Sequence, residues 1–235
     1  MVSLKRVWAT MVCDVRLQMR HGFYYAAATL VLFNVVILGQ LPAETIAWFL
    51  PPFLVVNLLI NSFYFVGGLI LLEKAEGTLS VQIITPLRPA EYLLSKAITL
   101  IVLSLLENGL MIALIWGVSW TMLWLLMGVI AAAGLLTCVG VMVAVRYDGI
   151  NEYLLPSMIY TSLLTLPIFP YAGVGPAWVF AWHPLHGAFV LLQAPFQPIP
   201  GWQLGLALVT SLFWLGAAWW LCGRAFYQHI IVRAG

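Results

Sequence analysis

Six long apolar stretches, each of about 18 residues or more, dominate this sequence and restrict what it can fold into. A helix needs roughly 20 apolar residues to cross the hydrocarbon core of a bilayer. Of the 235 residues, 63% are hydrophobic and only 8% are charged, too few charges to cover the surface of a soluble domain. We therefore predict an all-α polytopic membrane protein with six transmembrane helices, at residues 23–40, 48–72, 92–118, 121–145, 153–170 and 202–222.

The first 22 residues precede these spans and carry a different pattern. On a helical wheel their apolar side chains share a stripe about 100° wide. The residues of this stripe are Leu4, Trp8, Met11, Val12, Val15 and Met19. The pattern predicts that residues 1–22 form an amphipathic helix in the cytoplasmic membrane interface. A cleaved signal peptide is the alternative, but Asp14 and Arg16 interrupt its short apolar stretch.

The basic residues define an orientation for residues 23–235, which we treat as a single transmembrane domain. With the amino terminus inside, all 10 Lys and Arg residues fall on the cytoplasmic side or at its boundary. The segments predicted outside, 41–47, 119–120 and 171–201, contain none. This distribution follows the positive-inside rule. It predicts a prokaryotic inner-membrane (cytoplasmic membrane) protein with both termini in the cytoplasm.

The external segment 171–201 includes an apolar stretch that resembles a seventh span. Pro184 interrupts the stretch, and a seventh span would move Arg224 to the outside. We therefore expect a re-entrant or surface-lying external segment between spans five and six. His183 and His186 lie three residues apart there, but two histidines without a third ligand make a poor metal site, and we predict none.

A polar segment, EKAEGTLSVQIITPLRPAE at residues 73–91, connects the second and third spans in the cytoplasm. Thr78 is suited to cap a short helix, and Pro86 ends that helix because the residue before a proline avoids the helical region. Pro89 is a natural first-turn residue for the next span, with Glu91 near its positive end. Two interpretations remain open: a rigid interfacial helix that transmits force, or charges that only solvate a loop and set the topology.

Several residues of this segment form a pattern: Glu73, Glu76-Gly77-Thr78-Leu79, Thr85-Pro86-Leu87, Glu91-Tyr92-Leu93 and Lys96. The pattern resembles the signature of the ABC type-2 permease family. In that family a charged residue, Gly-Thr-Leu, Thr-Pro and a Lys at the foot of the next span form the intracellular loop that meets the ATPase. Residues 73–76 depart from it, because an arginine or a longer charged run is often found there. The size and the external segment rich in Trp and Pro resemble the fluoroquinolone-export permeases.

The resemblance implies a transport subunit without catalytic residues of its own. It implies a pair of permease chains, identical or homologous, with two copies of an ATP-binding subunit that holds Mg-ATP. The complex would move a small hydrophobic or amphipathic, drug-like molecule outward across the bilayer. The chain has no GxxxxGK[ST] phosphate loop, so we expect no cofactor in it, and no nucleic acid as a partner.

Coupling to the ATPase is assigned by the resemblance to residues of the segment 73–91. We expect Glu73 and Glu76 to form the charged rim of the short helix. The full set is Glu73, Glu76, Gly77, Thr78, Leu79, Ile83, Thr85 and Pro86.

Polar residues on two spans are candidates for the translocation path, because polar groups on one face of a span avoid lipid. They are Asn57, Asn61, Ser157, Tyr160, Thr161 and Thr165. The resemblance places the second and fifth spans near a dimer axis. The alternative is structural: Ser and Thr often bond to their own helix, and Asn side chains join helices.

Glu107 and Asn108 complete the candidate path. They lie near the middle of the third span, where a charged side chain costs roughly 2.5–3.5 kcal/mol on insertion scales. Two interpretations of Glu107 remain open. It binds a substrate or a proton, or it is a neutral carboxyl group that forms a hydrogen bond to a neighbouring helix.

Two other functions are compatible with part of the pattern. A haem-exporter permease of cytochrome c maturation shares this architecture and a similar loop. An intramembrane enzyme would need paired carboxylates, an HxxxH motif or a Ser/Lys pair at membrane depth. The chain offers one intramembrane carboxylate, Glu107, with no such partner in its sequence.

The predicted topology is testable by cysteine labelling in intact cells. A cysteine introduced at Gln193 or Gln197 should react with an impermeant thiol reagent, because both positions fall in the external segment. A cysteine at Arg233 should not react until the cells are opened. Labelling of position 233 in intact cells would show that the six-span topology is wrong.

Overall fold

The computed structural model describes residues 3–79 and 87–232, and regular structure in these ranges is helical, without strands. We number the helices in chain order. They are α1 (Leu4–Arg20), α2 (Phe23–Leu38), α3 (Ala43–Ala75), α4 (Pro89–Ile115), α5 (Met122–Ala144), α6 (Ile150–Leu164), α7 (Ile168–Tyr171), α8 (His186–Gln193) and α9 (Gly201–Ile231).

Four helices in the described part of the chain are long and apolar enough to cross a membrane: α3, α4, α5 and α9. They coincide with the predicted second, third, fourth and sixth spans. The pair α1 and α2 reaches the same criteria only together, and the two helices meet at an angle of 63°. Gly22 allows this bend, because its φ of 80° lies in the left-handed region that favours glycine.

The first and fifth predicted spans are shorter than the sequence suggested. Helix α2 has 16 residues and α6 has 15, or about 22–24 Å at 1.5 Å per residue, against a hydrocarbon core of about 30 Å. Helix α6 ends at Leu164 because Pro167 supplies no amide hydrogen and disfavours a helical residue before it. The count of six spans therefore stays a prediction.

Helix α5 forms the centre of the bundle and packs against α3, α4, α8 and α9. Small residues allow this close contact. A Cβ atom at Gly140 would lie 2.7 Å from the carbonyl oxygen of Phe63 in α3. One at Gly128 would lie 3.1 Å from the backbone nitrogen of Leu192 in α8. The backbones of these helices therefore approach each other closely at both glycines, most tightly at Gly140.

The predicted external segment contains the short helix α8, which packs between α5 and α9. Its eight residues reach about 12 Å, too short to span a bilayer. Phe189, Leu191 and Leu192 are buried against the longer helices. This position is compatible with a re-entrant segment, which stays a prediction.

Candidate functional site

One end of the bundle contains a buried ionic cluster, which we call the Lys96 cluster. It consists of Asp14, Glu73, Tyr92, Ser95 and Lys96. The Lys96 ammonium group, which has no solvent exposure, lies 2.8 Å from Asp14 Oδ1 and 2.7 Å from Glu73 Oε1. The hydroxyl groups of Ser95 and Tyr92 donate to the remaining oxygens of Asp14 and Glu73.

Every carboxylate oxygen of the Lys96 cluster thus has a donor, and the cluster joins three helices. Asp14 belongs to α1, Glu73 to the end of α3, and Lys96 to the start of α4. Burying a charge is tolerated when it is paired and its remaining hydrogen bonds are satisfied. The arrangement therefore stabilises one relative position of the three helix ends.

A second contact fixes α1 against the first turn of α4. The Glu91 carboxylate accepts hydrogen bonds from the Ser3 amide at 2.8 Å, Arg6 Nη2 at 2.9 Å and the Arg88 amide at 3.0 Å. Helix α4 begins at Pro89, as the sequence predicted, and Glu91 lies in its first turn. This carboxylate stabilises the positive end of the helix.

The orientation of α1 follows from these contacts. Asp14 and Gln18 are buried against α4, where Gln18 Nε2 donates to Thr99 Oγ1 at 3.1 Å. Leu4, Trp8 and Met19 of the predicted apolar stripe are exposed, on a face adjacent to the buried one. Helix α1 therefore presents apolar side chains outward while its polar side chains hold it to the bundle, an orientation suited to an interfacial helix.

The predicted coupling residues lie directly beside the Lys96 cluster. Glu73 is only 1% exposed, so it is part of the buried cluster and not of a charged rim as expected. Glu76 is partly exposed and forms an ion pair of 3.1 Å with Arg20 at the end of α1. Arg20 and Glu76 thus form a second link between α1 and the end of α3.

The chain turns sharply at Gly77, which has a φ of 69°. The Thr78 hydroxyl donates to the Glu73 carbonyl at 3.2 Å, and Leu79 is buried. Ile83, Thr85 and Pro86 lie outside the described residues, so the expected short helix and its end stay predictions.

Lys74 connects the same region to the end of α5. Its ammonium group donates to the carbonyl oxygens of Val145 at 3.0 Å and Tyr147 at 2.6 Å. A cation at the carboxyl end of a helix is favourable because the last carbonyl groups lack helical partners. The end of α3 therefore contacts α1, α4 and the segment after α5.

A second polar group lies inside the bundle, and we call it the Asn57–Glu107 cluster. Asn57 Nδ2 donates to Glu107 Oε1 and to Asn108 Oδ1, each at 3.1 Å. The hydroxyl groups of Ser62 and Ser104 lie 3.1 Å apart in the same helix interface. The structure thus brings Asn57, Glu107 and Asn108 together between α3 and α4. Their role in a translocation path stays a prediction.

Asn61 occupies a π-helical segment of α3, Leu59–Tyr64. Single π-helical turns inside longer helices occur often at functional sites. Asn61 lies within interaction distance of the Glu107 carboxyl group, but neither its amide atoms nor Glu107 Oε2 makes a hydrogen bond of standard geometry among the described residues. Buried polar atoms without partners are uncommon in native proteins. This location therefore has an unused capacity for polar contacts.

The candidates on α6 are arranged differently. The hydroxyl groups of Ser157, Thr161 and Thr165 donate to carbonyl groups of α6 itself, at 2.6, 3.1 and 2.9 Å. Tyr160 accepts a hydrogen bond from Arg146. Among the described residues, these side chains make no hydrogen bond to the Asn57–Glu107 cluster. Their backbone bonds agree with the structural alternative, and their assignment to the path remains untested.

The two histidines of the predicted external segment, His183 and His186, lie in partly buried surroundings. His183 Nε2 lies 3.1 Å from the carbonyl oxygen of Leu163, and burial lowers the pKa of both His183 and His186. Across residues 3–79 and 87–232, no group of three potential metal ligands is present.

Sequence reasoning missed Asp14 and Lys74 as members of the site. Asp14 is the sole acidic residue among the first 22, and it lies on the polar face of a helix that is otherwise basic. An isolated acidic residue on a basic helix face indicates a specific partner, and this is the feature of the sequence from which the role of Asp14 could be predicted. For Lys74, the sequence indicates only that a basic residue contributes to the membrane topology. Its hydrogen bonds to carbonyl groups depend on how the end of α3 packs against the end of α5.

Replacement of the cluster's cation should cause a large loss of stability. Lys96→Met leaves two buried carboxylates without their cation, and we expect a loss of about 3–5 kcal/mol in the free energy of unfolding. The triple variant Lys96→Met, Asp14→Asn, Glu73→Gln should recover most of it. Unfolding in a denaturing detergent, followed by circular dichroism, measures both. Lys5→Met is the control because Lys5 is exposed. Equal stability of the Lys96→Met and Lys5→Met variants would contradict the expectation.

Comparison with known proteins identifies the family. Residues 5–234 match the Fluoroquinolones export permease protein family. The chain is 29% identical over 228 residues to fluoroquinolones export permease proteins of Mycobacterium tuberculosis strains CDC 1551 / Oshkosh and ATCC 25618 / H37Rv. The alignments cover 94% of this chain and 95% of each relative. The chain therefore belongs to the fluoroquinolones export permease protein family, as its resemblance predicted, and is a membrane permease.

Proposed function

We propose that this chain is the transmembrane subunit of an ATP-driven exporter that moves an amphipathic, drug-like molecule out of the cell. Two copies of a separate ATP-binding subunit would supply Mg-ATP hydrolysis, and a second permease chain would complete the path. The chain would lie in the inner membrane with both termini in the cytoplasm. The observation that carries this proposal is the Lys96 cluster beside the segment that matches the coupling loop.

The Lys96 cluster supports coupling because it holds both ends of that segment. Glu73 is the first residue of the segment and Lys96 follows its last residue by five positions, and the two groups form an ion pair of 2.7 Å. Asp14 adds α1 to the same rigid base. A force applied to the segment would therefore move the ends of α1, α3 and α4 together, which a loose loop would not achieve.

Helix α6 supports the pairing of two permease chains. It packs mainly on α5 and exposes apolar side chains, including Leu155, Met158 and Ile159. We propose that this face contacts the second chain. The names of the relatives support a fluoroquinolone-like substrate over the haem alternative.

The partner is testable by purification. A tagged chain, expressed with its neighbouring genes, should co-purify with an ATP-binding protein. A fluoroquinolone should stimulate ATP hydrolysis by the reconstituted complex. Active export by this polypeptide alone, without an ATPase, would defeat the proposal.

Variants of the loop test coupling. Gly77→Val should abolish substrate-stimulated ATP hydrolysis with little loss of protein, because a β-branched residue is strained at a φ of 69° and adds bulk at the contact surface. Glu76→Lys should weaken binding of the ATPase, more so at low salt, where charges are less screened.

The control for Glu76→Lys is Arg20→Ala, which removes the same internal ion pair but keeps the acidic side chain for the partner. Co-purified ATPase should fall with Glu76→Lys and persist with Arg20→Ala. Normal expression, docking and stimulation in both Gly77→Val and Glu76→Lys would show that the loop only sets the topology.

A further inference from the structure

An apolar groove lies on the outer surface of the bundle between α2 and α4. Its volume is about 360 Å³. This volume falls within the range of about 300–1,000 Å³ that is common for small-molecule sites. Ala27, Val31 and Leu32 line it on α2, and Leu103 and Leu110 line it on α4. The groove suits an apolar body of drug-like size.

One acidic side chain, Glu107, also lines this groove. The residue is only 4% exposed, and its Oε1 atom is occupied by Asn57. Its Oε2 atom is buried and makes no hydrogen bond of standard geometry among the described residues, although the Asn61 amide lies near the carboxyl group. An unpaired carboxylate oxygen in such surroundings is costly unless a donor reaches it.

The neighbouring helices offer no cation to this carboxyl group. Helices α2 and α5 contain no lysine or arginine, and α4 contains none after Lys96. In α3 the sole basic residue is Lys74, close to its carboxyl end, where it caps the end of α5. Glu107 differs in this respect from the carboxylates of the Lys96 cluster, where each oxygen has a donor. A cation that pairs with the ionised form of this carboxyl group would therefore have to come from a bound molecule.

We propose that the α2–α4 groove binds an amphiphilic organic cation, with its protonated amine at Glu107 Oε2 and its apolar body between α2 and α4. The ligand would arrive laterally from the bilayer, because the groove opens on the surface of helices that face lipid. This inference rests on the proposed export function and names the substrate class.

A pair of matched probes tests the charge requirement. The purified full-length chain is placed in phosphatidylcholine nanodiscs and titrated with a dansyl-labelled alkyl amine or with the uncharged alcohol of equal chain length. Fluorescence measures binding. We expect the amine to bind at least about tenfold more tightly, the effect of one hydrogen-bonded charge. Glu107→Gln keeps the side-chain size and should reduce this preference to about twofold or less.

A second variant tests the groove itself. Leu110→Trp should fill the groove and weaken binding of both probes. The control is Leu212→Trp on α9, because Leu110 and Leu212 are similarly exposed, at 54% and 57%. Circular dichroism verifies that each variant is folded. Should Glu107→Gln fail to fold, the comparison of the two tryptophan variants with the two probes still decides the question.

Three results would overturn the inference. Equal binding of amine and alcohol to the unaltered chain, or an unchanged preference in Glu107→Gln, would make Glu107 a neutral structural group. Equal effects of the two tryptophan variants would place the probes elsewhere on the lipid-facing surface or show that a second copy covers the groove. Because binding requires no ATPase, these failures would leave the proposed export function standing. Selective binding without ATP-driven export would contradict that function alone.

Discussion

The pairing of one ammonium group with two carboxylates is the constraint on which the end of the bundle formed by α1, α3 and α4 depends. Lys96 has no solvent exposure, and its partners Asp14 and Glu73 belong to different helices. Loss of the Lys96 charge would leave both carboxylates buried without compensation, which is far more costly than breaking a surface ion pair. The cluster therefore fixes the relative positions of α1, α3 and α4 more strictly than apolar contacts would.

The position of α1 shows why this constraint matters. Its exposed side includes Leu4, Trp8 and Met19, so the hydrophobic effect draws this side towards lipid and not towards the bundle. Polar contacts hold the helix to the bundle, at Asp14 by Lys96 and at Arg6 by Glu91. These contacts agree with the predicted interfacial helix, next to the segment proposed to receive the ATPase.

The two carboxyl-containing clusters differ in a way that separates two roles. In the Lys96 cluster each carboxylate oxygen accepts a hydrogen bond, as expected for residues that hold helices together. In the Asn57–Glu107 cluster, Glu107 Oε2 and the nearby Asn61 amide make no hydrogen bond of standard geometry among the described residues, and the helix carrying Asn61 has a π-helical turn. Unused polar capacity beside an apolar groove is the feature expected of a binding site, and this difference underlies our inference of a cationic ligand.

Much of the fold was predictable from the lengths of apolar runs, which located α3, α4, α5 and α9, and from Pro89, which begins α4. The loop motif predicted the family.

The short α6 was not predicted, because hydropathy does not register the backbone hydrogen bonds lost near Pro167. The burial of Glu73 was also missed, since its partner Asp14 lies at a distant point of the chain and meets Lys96 only after α1 folds back on α4. The meeting of Asn57 with Glu107 follows from the same tertiary packing, although the cost of an intramembrane charge did indicate that Glu107 needs a partner.

The central claim is that the Lys96 cluster makes the ends of α1 and α4 move as one body when the ATPase acts. Cys13 on α1 is exposed, and Ala90 in the first turn of α4 is exposed as well, whereas Cys138 and Cys222 are buried. Spin labels at Cys13 and at Ala90→Cys allow electron paramagnetic resonance to measure their separation in the complete transporter. We predict the same distance within one chain with and without bound ATP, while the distance between the Cys13 labels of the two permease chains changes. A change of the Cys13–Ala90 distance on ATP binding would contradict the account.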